Sequence, residues 1–310
     1  MLLFFFFLLI ELTIEYAIPI DASDPHEVPT MGAHVVWWGP GGSTDINYMN
    51  RQLVRVRIDV RSKRIRVPRS FTPSYDSRMM VISFTDTEGG RMSTIVPRLF
   101  LSIHDDAEDY IVVGVQPGSV FYNMFRLFMI VPEDEGFIVR MGSADKLESS
   151  CNSTLSRIDF DEDQYVGLSV GVGGRSEDSA FTRTIISTLQ ELDWIPTQAW
   201  AHLLDDLRLA GMHVFIEDQG PFYATSITRI EENCDLTLFP TLRYTFRQDD
   251  IPIVSISLHP EDYVTVSTDG SCVLRVMPEN YDIAAIGWNM LRQVVTQFGE
   301  DHVAFCEPAG

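Results

Sequence analysis

Apolar and polar residues alternate along much of this chain, which is the pattern of strands that bury one face. The clearest run is residues 54–60, Val-Arg-Val-Arg-Ile-Asp-Val, in which every second residue is apolar. Glycine, proline, aspartate and serine lie between such runs, as is usual for turns. Further short strands are predicted at 79–83, 110–115, 242–246, 253–258, 263–267 and 294–297. The pattern therefore predicts a mostly β protein.

Helical spacing of apolar residues is rare in this sequence. The best example is the set Ile185, Ile186, Leu189 and Leu192, spaced i, i+1, i+4 and i+7. This spacing predicts a helix that ends at Pro196. A second short helix is predicted at about 288–293. We therefore expect one or two short helices in a β protein.

The N-terminus carries a short, strongly apolar run. Residues 2–10 are all leucine, phenylalanine or isoleucine, and Glu11 follows. The run is too short to span a bilayer but is typical of a signal-peptide core, so we expect a signal peptide over residues 1–22, cleaved between 17 and 22. A buried N-terminal strand is the alternative. No later segment reaches about 18 uninterrupted apolar residues, so we expect no membrane association after cleavage.

Composition and charge narrow the possible partners. Of 310 residues 45% are hydrophobic, which is typical of a folded protein. Lys and Arg number 23 against 44 Asp and Glu, a net charge of −21, which argues against nucleic-acid binding. The seven histidines and four cysteines lack metal-ligand spacing, so we expect neither a metal nor a cofactor.

A signal peptide would direct the chain to the secreted space or to the lumen of the secretory or endolysosomal pathway. Disulfides can form there. The sequence also contains one N-x-[ST] acceptor, Asn152-Ser153-Thr154, which makes Asn152 a candidate for glycosylation.

Two segments share one pattern, in which an apolar strand ends in an aspartate and an apolar stretch ending in glycine follows later. Asp59 and Gly167 belong to the first, and Asp218 and Gly287 to the second. The repeated order suggests a duplicated β unit.

The chain resembles the pepsin-like aspartic peptidase family in the order of several motifs. Residues 58–62, Ile-Asp-Val-Arg-Ser, with Arg-Val-Pro at 66–68, are similar to the family's Asp-Thr-Gly-Ser and Trp-Val-Pro. Residues 163–168 are similar to Asp-Gly-Ile-Leu-Gly-Leu. Residues 285–293 are similar to Ile-Leu-Gly-Asp-x-Phe-Leu-Arg, and Val-Ala-Phe at 303–305 to the closing Ile-Gly-Phe.

The resemblance implies a mostly β, bilobed fold with a central cleft, an N-terminal lobe at 23–200 and a C-terminal lobe at 201–310. It also implies a monomer that takes an extended peptide or protein in the cleft. Asp59 and Asp218 would form the catalytic dyad, with Phe84 in the flap. The turns that support the dyad would contain Ser62, Gly220, Gly167 and Gly287.

The resemblance also implies a disulfide between Cys234 and Cys272. Cys151 and Cys306 would lie in different lobes, and we do not expect them to bond.

The sequence departs from the family around the expected dyad. Val60 and Arg61 replace the threonine and glycine after the first aspartate, and an arginine there would hold Asp59 ionised. Phe84 lacks the hydroxyl of the family's flap tyrosine. We therefore expect an aspartic endopeptidase homologue with impaired catalysis. The alternatives are a non-catalytic relative that binds peptides or proteins, and a β-rich surface or adhesion protein outside the family.

Overall fold

The structure is a computed structural model. It describes residues 16–21, 29–38, 52–59, 64–68, 79–97, 110–114, 127–133, 136–141, 147–175, 182–190, 192–218, 226–230, 234–249, 251–267, 269–279 and 282–309.

Within these ranges the chain forms 23 strands and three α-helices. The strands up to residue 159 are β1 (Tyr16–Asp21), β2 (Thr30–Trp38), β3 (Gln52–Asp59), β4 (Arg64–Pro68), β5 (Met79–Thr85), β6 (Arg91–Pro97), β7 (Tyr110–Gly114), β8 (Phe128–Glu133), β9 (Gly136–Met141) and β10 (Ser156–Asp159). The later strands are β11 (Val166–Val172), β12 (Thr182–Ile186), β13 (Asp193–Ile195), β14 (Val214–Asp218), β15 (Ser226–Ile230), β16 (Leu242–Gln248), β17 (Ile251–Leu258), β18 (Val264–Val266), β19 (Cys272–Leu274), β20 (Val276–Pro278), β21 (Ile283–Ile286), β22 (Val295–Phe298) and β23 (His302–Cys306). The helices are α1 (Thr197–Leu209), α2 (Pro260–Tyr263) and α3 (Trp288–Leu291).

The chain divides into two compact units. The first contains residues 1–153, 295–300 and 308–310, and the second contains 154–294 and 301–307. The division therefore comes after Ser153, not at the expected boundary between residues 200 and 201. The reason is that β11 and β12, which we expected in the first lobe, pair with β16 and β21 of the second unit.

The first unit is built on antiparallel strands in the order β22-β8-β9-β1-β2-β3-β4-β7, and β5 joins β2 to β6. The alternation read from the sequence is observed in β3, where Val54 and Val56 are buried and Leu53 and Arg55 are exposed. Strand β8 instead buries four successive residues, starting at Phe128.

Strand β1 occupies the segment in which signal cleavage was expected. It pairs with β2 and β9, and it buries Ile18 and Ile20. The expected cleavage range, residues 17–22, thus overlaps this strand. The apolar run at 2–10 lies outside the described residues.

The second unit contains a seven-stranded sheet in the order β17-β16-β11-β12-β21-β13-β20 and a four-stranded sheet in the order β14-β15-β19-β18. Strands β10 and β23 of this unit pair with each other in antiparallel fashion. Two pairings in the larger sheet are parallel, β12 with β21 and β13 with β20. Tyr244 of β16 and Tyr263 of α2 are among the fully buried side chains of the second unit.

The helix expected over 185–192 is not formed. Residues Ile185 and Ile186 belong to β12 and pair in parallel with Ala285 and Ile286. This pairing with distant residues overrides the helical spacing. A strand also suits the β-branched side chains of the two isoleucines. Pro196 does not end a helix but immediately precedes α1.

Helix α1 packs its apolar face inward, where five side chains are buried: Ala199, Trp200, Leu203, Leu204 and Leu207. The helix predicted at about 288–293 is confirmed as α3. Among the described residues, the structure has no helix long and apolar enough to cross a membrane.

All four cysteines are described, and all are disulfide-bonded. The predicted disulfide between Cys234 and Cys272 is present, with the two Cα atoms 5.4 Å apart. Cys151 and Cys306 are disulfide-bonded as well, which the sequence did not predict.

Candidate functional site

Asp59 lies at the end of β3, where it pairs with Arg64 of β4. This placement, at the end of a strand, is the one expected from the sequence. The side chain of Asp59 and residues 60–63, which include Ser62, lie outside the described residues.

Asp218 lies at the end of β14, in the four-stranded sheet. Its backbone pairs with Ser226 of β15. Its side chain and Gly220 are outside the described part of the chain. Strand β14 lies in a different sheet from β21, the strand that Gly287 follows.

Gly287 follows β21 and was expected to pack against the turn of Asp218. It lies against the turn that joins β12 to β13. The Ser187 amide donates to the Ile286 carbonyl oxygen over 2.9 Å, and the Trp288 amide donates to the Gln190 carbonyl oxygen over 3.4 Å. The turn that begins at Ser187 is therefore a close neighbour of Gly287, and residues 219–225, which follow Asp218, lie outside the described part of the chain.

The close packing of Gly287 itself agrees with expectation. A β-carbon at this position would come within forbidden contact of the carbonyl oxygen and side chain of Gln190. The φ angle of −126° suits any residue. Lack of space, not backbone strain, therefore requires glycine here.

Gly167 was expected to pack against the turn after Asp59, but residues 60–63 lie outside the described part of the chain. It lies within β11 of the second unit, where it pairs with Arg183 on one side and Arg247 on the other. The apolar-Gly pattern at 165–167 therefore belongs to an interior strand of the larger sheet, because both edges of the strand are paired.

Ser187 directly follows β12, at the point where β12 lies beside β21, the apolar strand that precedes Gly287. Its hydroxyl oxygen accepts a hydrogen bond from the Leu189 amide over 3.2 Å. The next residue, Thr188, is buried, and its carbonyl oxygen accepts from the indole nitrogen of Trp288 over 2.7 Å. An apolar strand, a polar turn and a glycine thus meet at Ser187.

The carboxyl group beside this turn belongs to Asp193, which sequence reasoning missed. Asp193 is fully buried. One carboxyl oxygen accepts from the Gly287 amide over 2.8 Å, and the other accepts from the Tyr244 hydroxyl over 3.1 Å. The available signal was an acidic residue inside the apolar stretch 192–195, Leu-Asp-Trp-Ile.

Burial raises the pKa of Asp193 to about 7, since a charged carboxylate is poorly solvated there. The hydrogen bonds from Gly287 and Tyr244 and the charge of Arg275 act in the opposite direction. Asn289 also bonds to the carboxyl group, and it donates to the Arg275 carbonyl oxygen over 2.7 Å. Because Asp193 has no exposure to solvent, it holds the turn in place and is not positioned to act on a substrate.

Phe84, the flap candidate, lies in β5, which forms a hairpin with β6. It pairs with Met92 of β6 on one side and with Ala33 of β2 on the other. Its ring is fully buried in the first unit. In this structure Phe84 is therefore a core residue of the hairpin.

Asn152 lies in an exposed bend. Within the described ranges, no group of three or more His, Cys, Asp or Glu side chains is arranged to hold a metal ion.

No family model matches this chain, and no curated protein matches it. Its structure is similar to the crystal structure of aspartic proteinase from Irpex lacteus. The TM-score is 0.58, over 96% of this chain and 98% of that chain, at 10% sequence identity. At this identity the likeness establishes the fold alone. The chain has the mostly β fold of the pepsin-like aspartic proteinases, as predicted from the sequence.

Within this fold, residues 187–190 can be compared with the motif Asp-Thr-Gly-Ser. They read Ser-Thr-Leu-Gln. Thr188 matches the threonine of that motif, whereas Ser187 and Leu189 differ from its aspartate and glycine.

Proposed function

We propose that this chain is a pepsin-like aspartic endopeptidase homologue with impaired catalysis. The observation that supports the proposal is the position of Ser187, at the end of the strand that pairs in parallel with the apolar-Gly strand. In this proposal Ser187 takes the place of the second aspartate, and Asp218 is not part of a dyad.

The chemistry explains why this replacement matters. Two carboxyl groups that share one proton divide the work, because contact between like charges separates their pKa values. The ionised group takes a proton from water, and the protonated group polarises the peptide carbonyl. A serine hydroxyl does not ionise in this pH range, so Asp59 would act without a second carboxylate. Peptide hydrolysis would then be very slow or absent.

The two disulfides support a place in the secreted space or the lumen of the secretory or endolysosomal pathway, because disulfides persist in oxidising compartments. Binding of an extended peptide or protein without cleavage is the second candidate function. It is favoured by the same observation, a pepsin-like fold with a serine at the position that we propose for the second acid.

The direct test is incubation of the purified protein with a mixed peptide library from acid to neutral pH, with products identified by mass spectrometry. We expect little or no cleavage. Robust cleavage that is abolished by Asp59→Asn would contradict the proposal. Loss of that cleavage in Asp218→Asn, but not in Ser187→Ala, would restore Asp218 as the second acid.

A gain-of-function variant tests the placement of Ser187. We expect measurable cleavage after combining Val60→Thr and Arg61→Gly with Ser187→Asp and Leu189→Gly. The matched control carries Ser187→Asn in place of Ser187→Asp, which keeps the shape but supplies no carboxylate, and it should stay inactive. Equal activity of the two variants would contradict the assignment.

A further inference from the structure

The segment Asn152-Ser153-Thr154 is the one N-linked glycosylation acceptor in the sequence, and the structure places all three side chains on the surface. Neither a strand nor a helix contains these residues. Acceptor sequences occur by chance, but many of them are buried or lie inside regular structure. This one has the exposure that a bulky, hydrophilic modification requires.

The residues on either side of the acceptor are fixed in the fold. Leu147 and Ser150 are buried, and the Ser150 carbonyl oxygen accepts from the Ala309 amide over 2.9 Å. Cys151 forms a β-bridge with Pro308 and is disulfide-bonded. On the other side β10 begins at Ser156. The acceptor is therefore a short exposed bend between anchored segments, and a glycan there would extend into solvent without displacing buried residues.

We propose that Asn152 carries an N-linked glycan. The inference rests on the lumenal location proposed above. The amide nitrogen of Asn152 attacks C1 of the first sugar of a lipid-linked oligosaccharide diphosphate. A nitrogen–carbon bond forms and the bond from C1 to the diphosphate oxygen breaks. The lipid diphosphate leaves with the bonding electrons, the amide loses one proton, and the Thr154 hydroxyl completes the acceptor sequence.

The experiment uses the full chain, with its own N-terminus, expressed in a eukaryotic secretory host. We expect the protein to run faster on a denaturing gel after treatment with a peptide N-glycosidase. The peptide that contains residue 152 should then show aspartate in place of asparagine by mass spectrometry. Asn152→Gln and Thr154→Ala should each abolish the gel shift, whereas Thr154→Ser, which keeps a hydroxyl, should retain it.

A protein that is secreted without a glycan at Asn152 would overturn the proposal, and so would a chain that stays unmodified in the cytosol. A shift that persists in both Asn152→Gln and Thr154→Ala would place the glycan elsewhere and would also overturn it. The readout is independent of peptide cleavage. An active, glycosylated protein would therefore contradict the proposed loss of catalysis and leave this inference intact.

Discussion

Asp193 is a buried acid whose environment comes from three different elements. Tyr244 belongs to β16, Gly287 to the start of α3, and Arg275 lies between β19 and β20. Burial and the Asp193 carboxylate raise the pKa of the Tyr244 phenol well above its usual value, so Tyr244 stays a donor. The protonation of Asp193 is consequently linked to folding, because the same group is fully hydrated in the unfolded chain.

This linkage predicts that the stability of the protein depends on pH. The folded protein keeps the Asp193 proton up to about pH 7, whereas the ordinary pKa is 3.8. Between these values the folded state binds more protons, so raising the pH favours unfolding. The contribution of the Asp193 proton to the free energy of unfolding is complete below about pH 4 and is lost as the pH rises through 7. Its upper limit is about 4 kcal/mol.

Urea unfolding of wild type and Asp193→Asn across this pH range measures the effect. The asparagine can still accept from the Gly287 amide but does not titrate. We expect the free energy of unfolding of wild type, relative to the variant, to fall between pH 4 and 7. A difference that is independent of pH would show that Asp193 titrates normally in the folded protein.

At the scale of elements, the central feature is the parallel pairing of β12 with β21 and the turn that β12 enters. Hydrogen bonds from Ser187 and Trp288 join the turn to the strand at both ends. Gly287 lies where the start of α3 comes closest to Gln190 of the turn, so the spacing between the turn and α3 depends on the absence of a β-carbon.

Gly287→Ala should destabilise the protein by about 1–3 kcal/mol, the usual cost of overpacking a close contact. Backbone atoms of Gln190 must move to make room, which also weakens the bond from the Gly287 amide to Asp193. Gly174→Ala is the matched control, because a β-carbon there meets nothing within 4 Å. Thermal or urea unfolding of the two variants should separate them, and equal stability would contradict the packing argument.

At the scale of the whole molecule, the chain divides into two compact units. Two disulfides restrict the conformations that the unfolded chain can reach. Cys234 precedes the short 3₁₀ helix at Leu236–Leu238, and Cys272 is a buried residue of β19. Their disulfide closes a loop with a sequence separation of 38 residues, which contains β16, β17 and β18. The closed loop thus contains strands of both the larger and the smaller sheet of the second unit.

Removing this disulfide with Cys234→Ala and Cys272→Ala should lower the free energy of unfolding by about 4 kcal/mol, according to the chain-entropy model for a loop of this length. Urea unfolding under non-reducing conditions measures the loss. The control is wild type unfolded with a reductant, which should lose at least as much, because reduction also opens the second disulfide. A variant as stable as oxidised wild type would contradict the prediction.

Several features were determined by the sequence alone, because they depend on local chemistry. Alternation over 54–60 predicted β3 and its two faces, and the spacing around residue 288 predicted α3. The resemblance to the pepsin-like aspartic peptidases, carried by the order of motifs along the chain, implied the fold and the Cys234–Cys272 disulfide. It also placed Asp59 at the end of a strand, and these predictions needed no knowledge of distant contacts.

Tertiary structure alone decided which turn lies beside Gly287. An aspartate after an apolar strand made residue 218 the natural candidate, but pairing between strands about 100 residues apart joins β21 to β12. The same long-range pairing turned a predicted helix at 185–192 into strand and turn, and moved β11 into the second unit. Non-local hydrogen bonds and burial override local periodicity, because they satisfy backbone groups that a short isolated helix would leave exposed.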